Sequence, residues 1–311
     1  MDISFVIPVY NEQSDLAQLH SEITEVMRTT GLEYEIFFIN DGSSDDSWNV
    51  IKELAASDGA VRGVSFRRNF GKSEALSAGF KRVSGKYVFT MDADLQDDPH
   101  EIPKFLEMMR EGYDLVSGWK KERHDPMEKR LPSKLFNATV SKMTGVKLHD
   151  FNCGFKCYTK ACIDEIDCYG ERHRFMPALA HERGFKVGEL VVNHRARIHG
   201  KSKFGFERYM RGFMDLLTVT FLAAYSRRPA HLIGGIGVLS ILLGGFCLIL
   251  SLLLYLFGGF NQVIASAPIF ITALAFFVFG GISIFLGLIS ELVVARSRTP
   301  QKTIHSVKEE F

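Results

Sequence analysis

KYVFTMDADLQDDP, Lys86–Pro99, runs from an apolar, β-rich stretch directly into four carboxylates within seven residues: Asp92, Asp94, Asp97 and Asp98. The apolar half reads as a buried strand. Like charges this close repel, and an ionised carboxylate is costly to bury without a partner. The run is therefore either a solvated loop or the end of a strand where something positive is received. D-x-D alone is a weak pattern, so its surroundings decide. SFVIPVY (Ser4–Tyr10) reads as a buried strand, and a helix capped by Ser14 follows, with Leu16, Leu19, Ile23, Val26 and Met27 on one face, ending near Gly31. EIFFIN (Glu35–Asn40) is a second strand, closed by Asp41-Gly42-Ser43. A helix carrying Trp48, Ile51 and Leu54, the strand VRGVSF and a helix from about Lys72 to Val83 continue the alternation, as do a helix near Glu101–Arg110 and the strand DLVSGW after the acidic run. Strand–helix alternation predicts an α/β fold, a Rossmann-like, mainly parallel sheet with helices on both faces. Such sheets bind ligands beyond the carboxyl ends of their strands, where both Asp41 and the acidic run fall. Two carboxylates separated by one residue there suit a divalent cation such as Mg²⁺, which takes one or two protein carboxylates and leaves its other positions to phosphate and water.

The 311 residues carry a net charge of +1, which gives no global argument for nucleic acid. Pro229–Ser290 is 62 residues without one Asp, Glu, Lys or Arg. A spanning helix takes about 20 apolar residues, so the tract predicts two spans, His231–Phe257 and Pro268–Glu291, joined by the turn GGFNQVIASA. Arg227 and Arg228 precede the first span, and Arg296, Arg298, Lys302 and Lys308 follow the second. The positive-inside bias then puts the N-terminal part and both termini in the cytoplasm, and no signal peptide is read before Asp2-Ile3. Glu291 falls at the cytoplasmic end of the second span, at headgroup depth or within reach of Arg296. Cys153, Cys157, Cys162, Cys168 and Cys247 lack zinc-ligand spacing and read as reduced packing residues. The expected organisation is a cytoplasmic catalytic domain over 1–203, an amphipathic interfacial segment over 204–228, a two-helix anchor over 229–295 and a cytoplasmic tail over 296–311. The segment Arg195–Arg211 holds six Lys or Arg against one Glu. Such runs are commonly solvated faces or lipid-attracted patches, and gripping a lipid phosphate is a sharper use of the same charge. His194 and His199 read as surface residues. Glycines 234, 235, 237, 244, 245, 280 and 281 permit close helix packing, within one chain or in a homo-oligomer.

PVYNE (Pro8–Glu12), INDGSSDDS (Ile39–Ser47), RNFGKSEALSAGF (Arg68–Phe80), DADLQDDP (Asp92–Pro99) and GKSKFG (Gly200–Gly205) stand in an order and spacing that resemble the family 2 glycosyltransferases of GT-A fold that transfer sugar to polyprenyl phosphate. Dolichyl-phosphate mannose synthases, bactoprenol (undecaprenyl phosphate) glucosyltransferases and the aminoarabinose transferases of lipid A modification are of this kind. The resemblance covers nearly the whole chain, including the two C-terminal transmembrane helices. It implies that Pro8, Tyr10, Glu12, Ile39 and Asp41 hold the base and ribose of a nucleoside diphosphate sugar, UDP- or GDP-linked. It implies that Asp92 and Ala93 contact the nucleotide, that Asp94 and Gln96, with Asp92, hold Mg²⁺ or Mn²⁺, and that Lys120, Arg130 and Arg197 grip diphosphate or acceptor phosphate. Lys120 stands where the pattern has Arg, Lys129 is interchangeable with Arg130, and Ser202 and Lys203 match the segment at the acceptor phosphate. Asp150 matches an acidic position proposed as catalytic, and Lys156 stands where Arg is common. Asn152-Cys153-Gly154 is closest to the aminoarabinose-transferase branch.

The reaction so implied is inverting transfer of sugar to a polyprenyl phosphate, by in-line attack without a covalent enzyme intermediate, at the cytoplasmic face of a bacterial or archaeal inner membrane, for cell-envelope glycan or glycolipid modification. The acceptor is a phosphate monoester with a second pKa of about 6, already nucleophilic at neutral pH. A strong base is thus less necessary than for a hydroxyl acceptor, and Asp150 is either a base or a group that orients sugar or acceptor. Three other readings compete, one of them a nucleotidyltransferase with a similar sheet, which would want a Gly-rich phosphate loop early in the chain where PVYNEQSD stands instead. A processive polysaccharide synthase would carry more spans and a Q-x-x-R-W segment, which this chain lacks. A catalytically silent sugar-nucleotide-binding membrane module would not need Asp92, Asp94 and Gln96 together.

Overall fold

Apolar side chains on both sides of the central strands set the architecture. In β1 (Ile3–Val9), Ile3, Phe5, Ile7 and Val9 join one core and Val6 the other. The computed structural model describes residues 1–121, 137–138, 140–141, 144–166, 168, 172–195, 229–257, 260–296 and 307–310. After β1 come α1 (Leu16–Thr30), β2 (Tyr34–Asn40), α2 (Ser47–Ser57), β3 (Val61–Phe66), α3 (Lys72–Phe80), β4 (Tyr87–Thr90), a 3-10 turn (Pro99–Glu101), α4 (Ile102–Arg110) and β5 (Leu115–Trp119). Then follow β6 (Lys156–Thr159), α5 (Lys160–Glu165), a 3-10 turn (Arg172–Phe175), α6 (Met176–Glu182), β7 (Val187–Val191), the long helices α7 (Pro229–Phe257) and α8 (Phe260–Arg296), and β8 (Val307–Glu310).

The sheet order is β7-β5-β6-β4-β1-β2-β3-β8. β1, β2, β3 and β4 are parallel, β5 and β7 are parallel, β6 is antiparallel to both β4 and β5, and β8 is antiparallel to β3. One core packs α1 and α4 on the sheet through Leu19, Ile23, Phe105 and Met109. The other packs α3, α5 and α6 through Leu76, Phe80, Ile163 and Met176. Gly79 is what lets α3 lie this close: a Cβ there would come within 2.3 Å of Val6 Cγ1. The mainly parallel α/β sheet expected from the sequence is present. The opposite ends of β1 and β2 are tied by polar groups: the Ser4 hydroxyl donates to Glu35 Oε1 at 2.6 Å, as does Ser84 N–H at 2.8 Å.

Three expectations are corrected. Asp15, not Ser14, precedes the first helical residue of α1, without a side-chain cap bond. Asn11 has φ 57°, and Gln13 N–H donates to Asp45 Oδ2 at 3.3 Å, so residues 11–15 are folded against the 43–47 loop. The turn GGFNQVIASA is mostly helix: α8 starts at Phe260 and contains Pro268, because nothing in 261–267 is a helix-stopping Gly or Pro. The expected tail contributes an edge strand, pairing Val64 with Glu310 and Ser65 with Glu309. A short, charged strand on a sheet edge is a common way to close it.

The chain divides into two compact units, Met1–Val219 with Thr303–Phe311, and Thr220–Lys302. Within the second, α7 and α8 meet through small residues: a Cβ on Gly237 would lie 2.7 Å from Gly280 O. Ser240 Oγ donates to Phe276 O and Ser251 Oγ to Ser266 O, each at 2.9 Å. Glu291 accepts the Ala230 N–H at 3.2 Å, at the N-terminal end of α7 where the helix dipole favours a carboxylate. Ala230–Phe257 and Ser266–Val293 are long and apolar enough to cross a membrane. Their large side chains are outward, Leu242 and Phe246 at 64% and 66% exposure, which separates them from the core helices of a water-soluble domain.

Candidate active site

The strand-end geometry begins with a period of two. Met91, Ala93 and Leu95 enter the core, so Asp92, Asp94 and Gln96 are partly exposed on the other side of the run. Leu95 has φ 59°, a bend after which the chain turns to Asp97 and Asp98. Asp97 Oδ2 accepts the Asp92 N–H at 3.2 Å, and Asp94 Oδ1 accepts the Gln96 N–H at 3.3 Å.

Lysines answer the charge problem. Lys72, at the start of α3, is ion-paired with Asp92. Lys120, just past β5, pairs with the buried Asp97 at 3.1 Å. Lys156, on β6 opposite Thr90, is 3% exposed and donates to Cys153 O. Burial works to raise the Asp92 carboxyl, but Lys72, Lys120 and Lys156 outweigh it and hold it well below the usual carboxylate range. Burial alone would lower Lys120; Asp97, Cys153 and Asp92 reverse that and raise it. Lys156 is lowered, by burial first and then by Lys72 among its neighbours, against Cys153, Asp150 and Asp92. Burial pushes the Cys153 thiol up to about 12, so it is a neutral packing group. Gly154 leaves room for this carboxylate: a Cβ would lie 2.6 Å from Asp92 Oδ2. Asp150 is 1% exposed, accepts the Asn152 N–H at 3.0 Å and is close enough to Lys156 to bias it.

A second acid ends β2. Asp41 is 4% exposed, and its oxygens accept the N–H groups of Phe70 at 2.7 Å and Gly71 at 2.9 Å. Gly42 has φ 67°, and a Cβ there would lie 2.3 Å from the backbone of Arg68. Asp41 thus fixes the loop whose next residue, Lys72, pairs with Asp92. Its carboxyl is raised, by burial first, against the two amides. The β1 end is tied to the same region: Ser43 Oγ accepts from Asn11 N–H at 3.0 Å and Ser47 Oγ from Glu12 N–H at 3.1 Å. Pro8 and Ile39 are cross-strand partners, and Tyr10 is 42% exposed at the strand end.

The structure therefore brings together Asp92, Ala93, Asp94, Gln96 and Lys120, with Pro8, Tyr10, Glu12, Ile39 and Asp41 on neighbouring strand ends. Arg130, Arg197, Ser202 and Lys203, the interfacial segment and His199 lie outside the described residues. Sequence reasoning missed Lys72, although it stands in the quoted motif Arg68–Phe80, and His173. The His173 imidazole is 2.7 Å from Ser73 Oγ, a hundred residues away in sequence. Burial and then Lys72 and Arg174 lower His173 to about 2, so it is a neutral ring. His194, expected on the surface, bridges to Asp97 and is 3.4 Å from the Gln96 amide nitrogen.

Asp94 and Gln96, with Asp92, are an all-oxygen donor set of the hard kind that suits Mg²⁺ or Mn²⁺. Among the described residues, no three His, Cys, Asp or Glu side chains cluster as a complete protein cage.

These features define an α/β transferase-type domain with an acid-and-lysine site at the carboxyl edge of its sheet. Residues 4–166 match the family model described as glycosyl transferase family 2, and the chain belongs to that family. It is 36% identical over 274 residues to the dodecaprenyl-phosphate galacturonate synthase of Rhizobium johnstonii, spanning 86% of this chain and 79% of that one. It is 36% identical over 293 residues to the undecaprenyl-phosphate 4-deoxy-4-formamido-L-arabinose transferase of Shewanella sediminis, spanning 94% and 86%. Among solved structures it resembles Mycobacterium tuberculosis glucosyl-3-phosphoglycerate synthase in complex with Mg²⁺ and uridine diphosphate. That match has a TM-score of 0.56 at 17% identity and covers 72% of this chain and 79% of that one. At that identity the likeness is one of fold, and it agrees with the GT-A architecture expected from the motifs.

Proposed function

We propose that this glycosyltransferase moves a sugar from a nucleoside diphosphate sugar, with uridine the first base to test, to a polyprenyl phosphate at the cytoplasmic face of the membrane. The observation that carries the reading is the strand-end set Asp92, Asp94 and Gln96 ringed by Lys72 and Lys120, in a chain that also carries two membrane-length apolar helices. The named polyprenyl-phosphate relatives support the acceptor. The topology is supported by β8: strands before and after the helix pair share one sheet, which requires an even number of crossings.

Tyr10 offers an exposed ring for a base, and Glu12 an acid for ribose. Asp41 acts by fixing the 68–71 loop, since its oxygens already accept two amides. Lys72 and Lys120 carry the positive charge that a diphosphate would meet. Their carboxylate partners hold them in place beforehand, which is the preorganisation that favours developing charge on a leaving phosphate. A bound divalent cation at Asp94 and Gln96 would supply Lewis-acid stabilisation of that charge. The acceptor phosphate needs no strong base. Asp150 is buried beside Lys156 and orients rather than deprotonates. Arg130, Arg197, Ser202 and Lys203 are proposed to grip the phosphates.

The test uses the full chain purified in detergent, with Mg²⁺ or Mn²⁺ and a short polyprenyl phosphate. UDP-galacturonate, UDP-4-deoxy-4-formamido-L-arabinose and the common UDP- and GDP-hexoses are offered in turn. A lipid-linked sugar detected by mass supports the reaction and names the donor. Nucleotide binding without product from any donor would replace it with a silent binding module.

A further inference from the structure

The segment just before the basic run Arg195–Arg211 is laced to the acidic loop. Arg195 N–H donates to Gln96 O at 2.9 Å, and Asp97 and His194 form an antiparallel bridge. The Gln96 side-chain nitrogen is 3.3 Å from Arg195 O and 3.4 Å from His194 Nε2. The Gln96 amide nitrogen is thus turned to the 193–195 strip, where it donates to Arg195 O. An amide so held keeps its oxygen for a ligand, which a metal-binding glutamine requires.

The Arg195 side chain locks this strip from outside. Nη1 meets Glu22 of α1 and Nη2 meets Asp98, each at 2.6 Å. Asp98 also accepts from Asn193 at 3.1 Å and from His100 N–H at the 3-10 turn. Burial works to raise the Asp98 carboxyl, and His100, Asn193 and Arg195 together hold it below the usual range. A planar fork holding two acids on different elements fixes position in a way a single ammonium does not.

We propose that Arg195 is a positioning residue: it clamps residues 193–195 onto the 96–98 loop, so that the Gln96 side-chain oxygen is presented to the divalent cation. The inference rests on the reading of that site as a metal-dependent nucleotide site. Groups that orient a metal ligand typically change metal affinity by about 10–100-fold.

Binding of UDP and of GDP to the full-length chain, measured by calorimetry with and without Mn²⁺, tests it without turnover. In the wild type Mn²⁺ strengthens binding of one nucleotide. Arg195→Gln is expected to lose about tenfold of that metal-linked gain, with metal-free binding unchanged. Gln96→Met should lose as much, and the double variant no more than Gln96→Met alone. If Arg195→Gln does not fold, judged by its thermal transition, Glu22→Gln removes one arm of the clamp and should give a smaller loss of the same kind. A wild-type metal gain in the Arg195 or Glu22 variant, or additive losses in the double variant, overturns the proposal. A wild type that binds neither nucleotide overturns the reading of the site itself, a result separate from either variant.

Discussion

Asp41 and Asp92 end β2 and β4, the two strands that flank β1, at the same edge of the sheet, yet their carboxyls move in opposite directions. Asp41 is satisfied by two backbone amides and is raised, burial being the larger effect. Asp92 is surrounded by lysines, and against burial these hold it down. The difference separates scaffold from site. The amides belong to the loop that Asp41 holds. Ammonium groups can exchange a carboxylate for an incoming phosphate, so in the proposed function the lysine-ringed acid is where the anionic donor would be received. Lys72 joins the two: its loop is fixed by Asp41 and its side chain by Asp92.

The largest effect should follow from breaking the second acid and not the first. Asp92→Asn is expected to cut kcat/KM by about 10²–10³, the scale for removing one preorganised electrostatic contact, and its loss of stability should be the lesser effect because Lys72 is partly exposed. Asp41→Asn should show the converse, about 1–3 kcal/mol of stability from an amide left unsatisfied and a small change in rate once folded. Comparable rate losses in both variants would erase the distinction.

Two glycines sharpen it at the level of the backbone. Gly42→Ala places a side chain at φ 67° and within 2.3 Å of the Arg68 backbone, which cannot step aside. It should cost about 3 kcal/mol in denaturant unfolding. Gly154→Ala meets the Asp92 carboxylate instead, 2.6 Å from Oδ2, a group that can move. Its cost should appear in rate, about tenfold, since small misplacement at a reacting centre is expensive, with stability nearly unchanged. A Gly154 variant that unfolds without losing specific activity would make Asp92 scaffold as well.

The parallel strands were legible because each is a run of apolar residues ending in a polar turn, and the helices because their apolar spacing is regular. Asp92, Asp94 and Gln96 were legible for the same reason: the strand before them is buried, so a polar run at its end is conspicuous. What was not legible is contact across distance. Nothing local in HRF announces that His173 reaches Ser73, or that Glu22 on a surface-patterned helix takes one arm of Arg195. The antiparallel β6 lay in a stretch of mixed composition, and four polar-rich residues at 307–310 carry no strand signal of their own, since the partner β3 supplies the reason for pairing. The hairpin turn was misread because Asn261 and Gln262 look like loop residues until the helix around them is seen.

The smallest effect is in pH, and it tests the opposition of the two acids directly. A raised folded-state value means that, from the ordinary 3.8 upward to that value, the folded chain holds the Asp41 proton more tightly than the unfolded chain. Asp41 therefore contributes stability at low pH that is lost as pH rises through that window. Asp92 has the opposite sign: its contribution is complete above 3.8 and is lost as pH falls below it towards its depressed folded value. The stability difference between wild type and Asp41→Asn should shrink as pH rises from 4, and that between wild type and Asp92→Asn should shrink as pH falls from 4. Urea unfolding of the three chains from pH 2.5 to 6.5 reads both slopes. Two differences that move together would mean that the lysines around Asp92 do not hold its charge, and the assignment of that acid to the anion-receiving side of the sheet would fall.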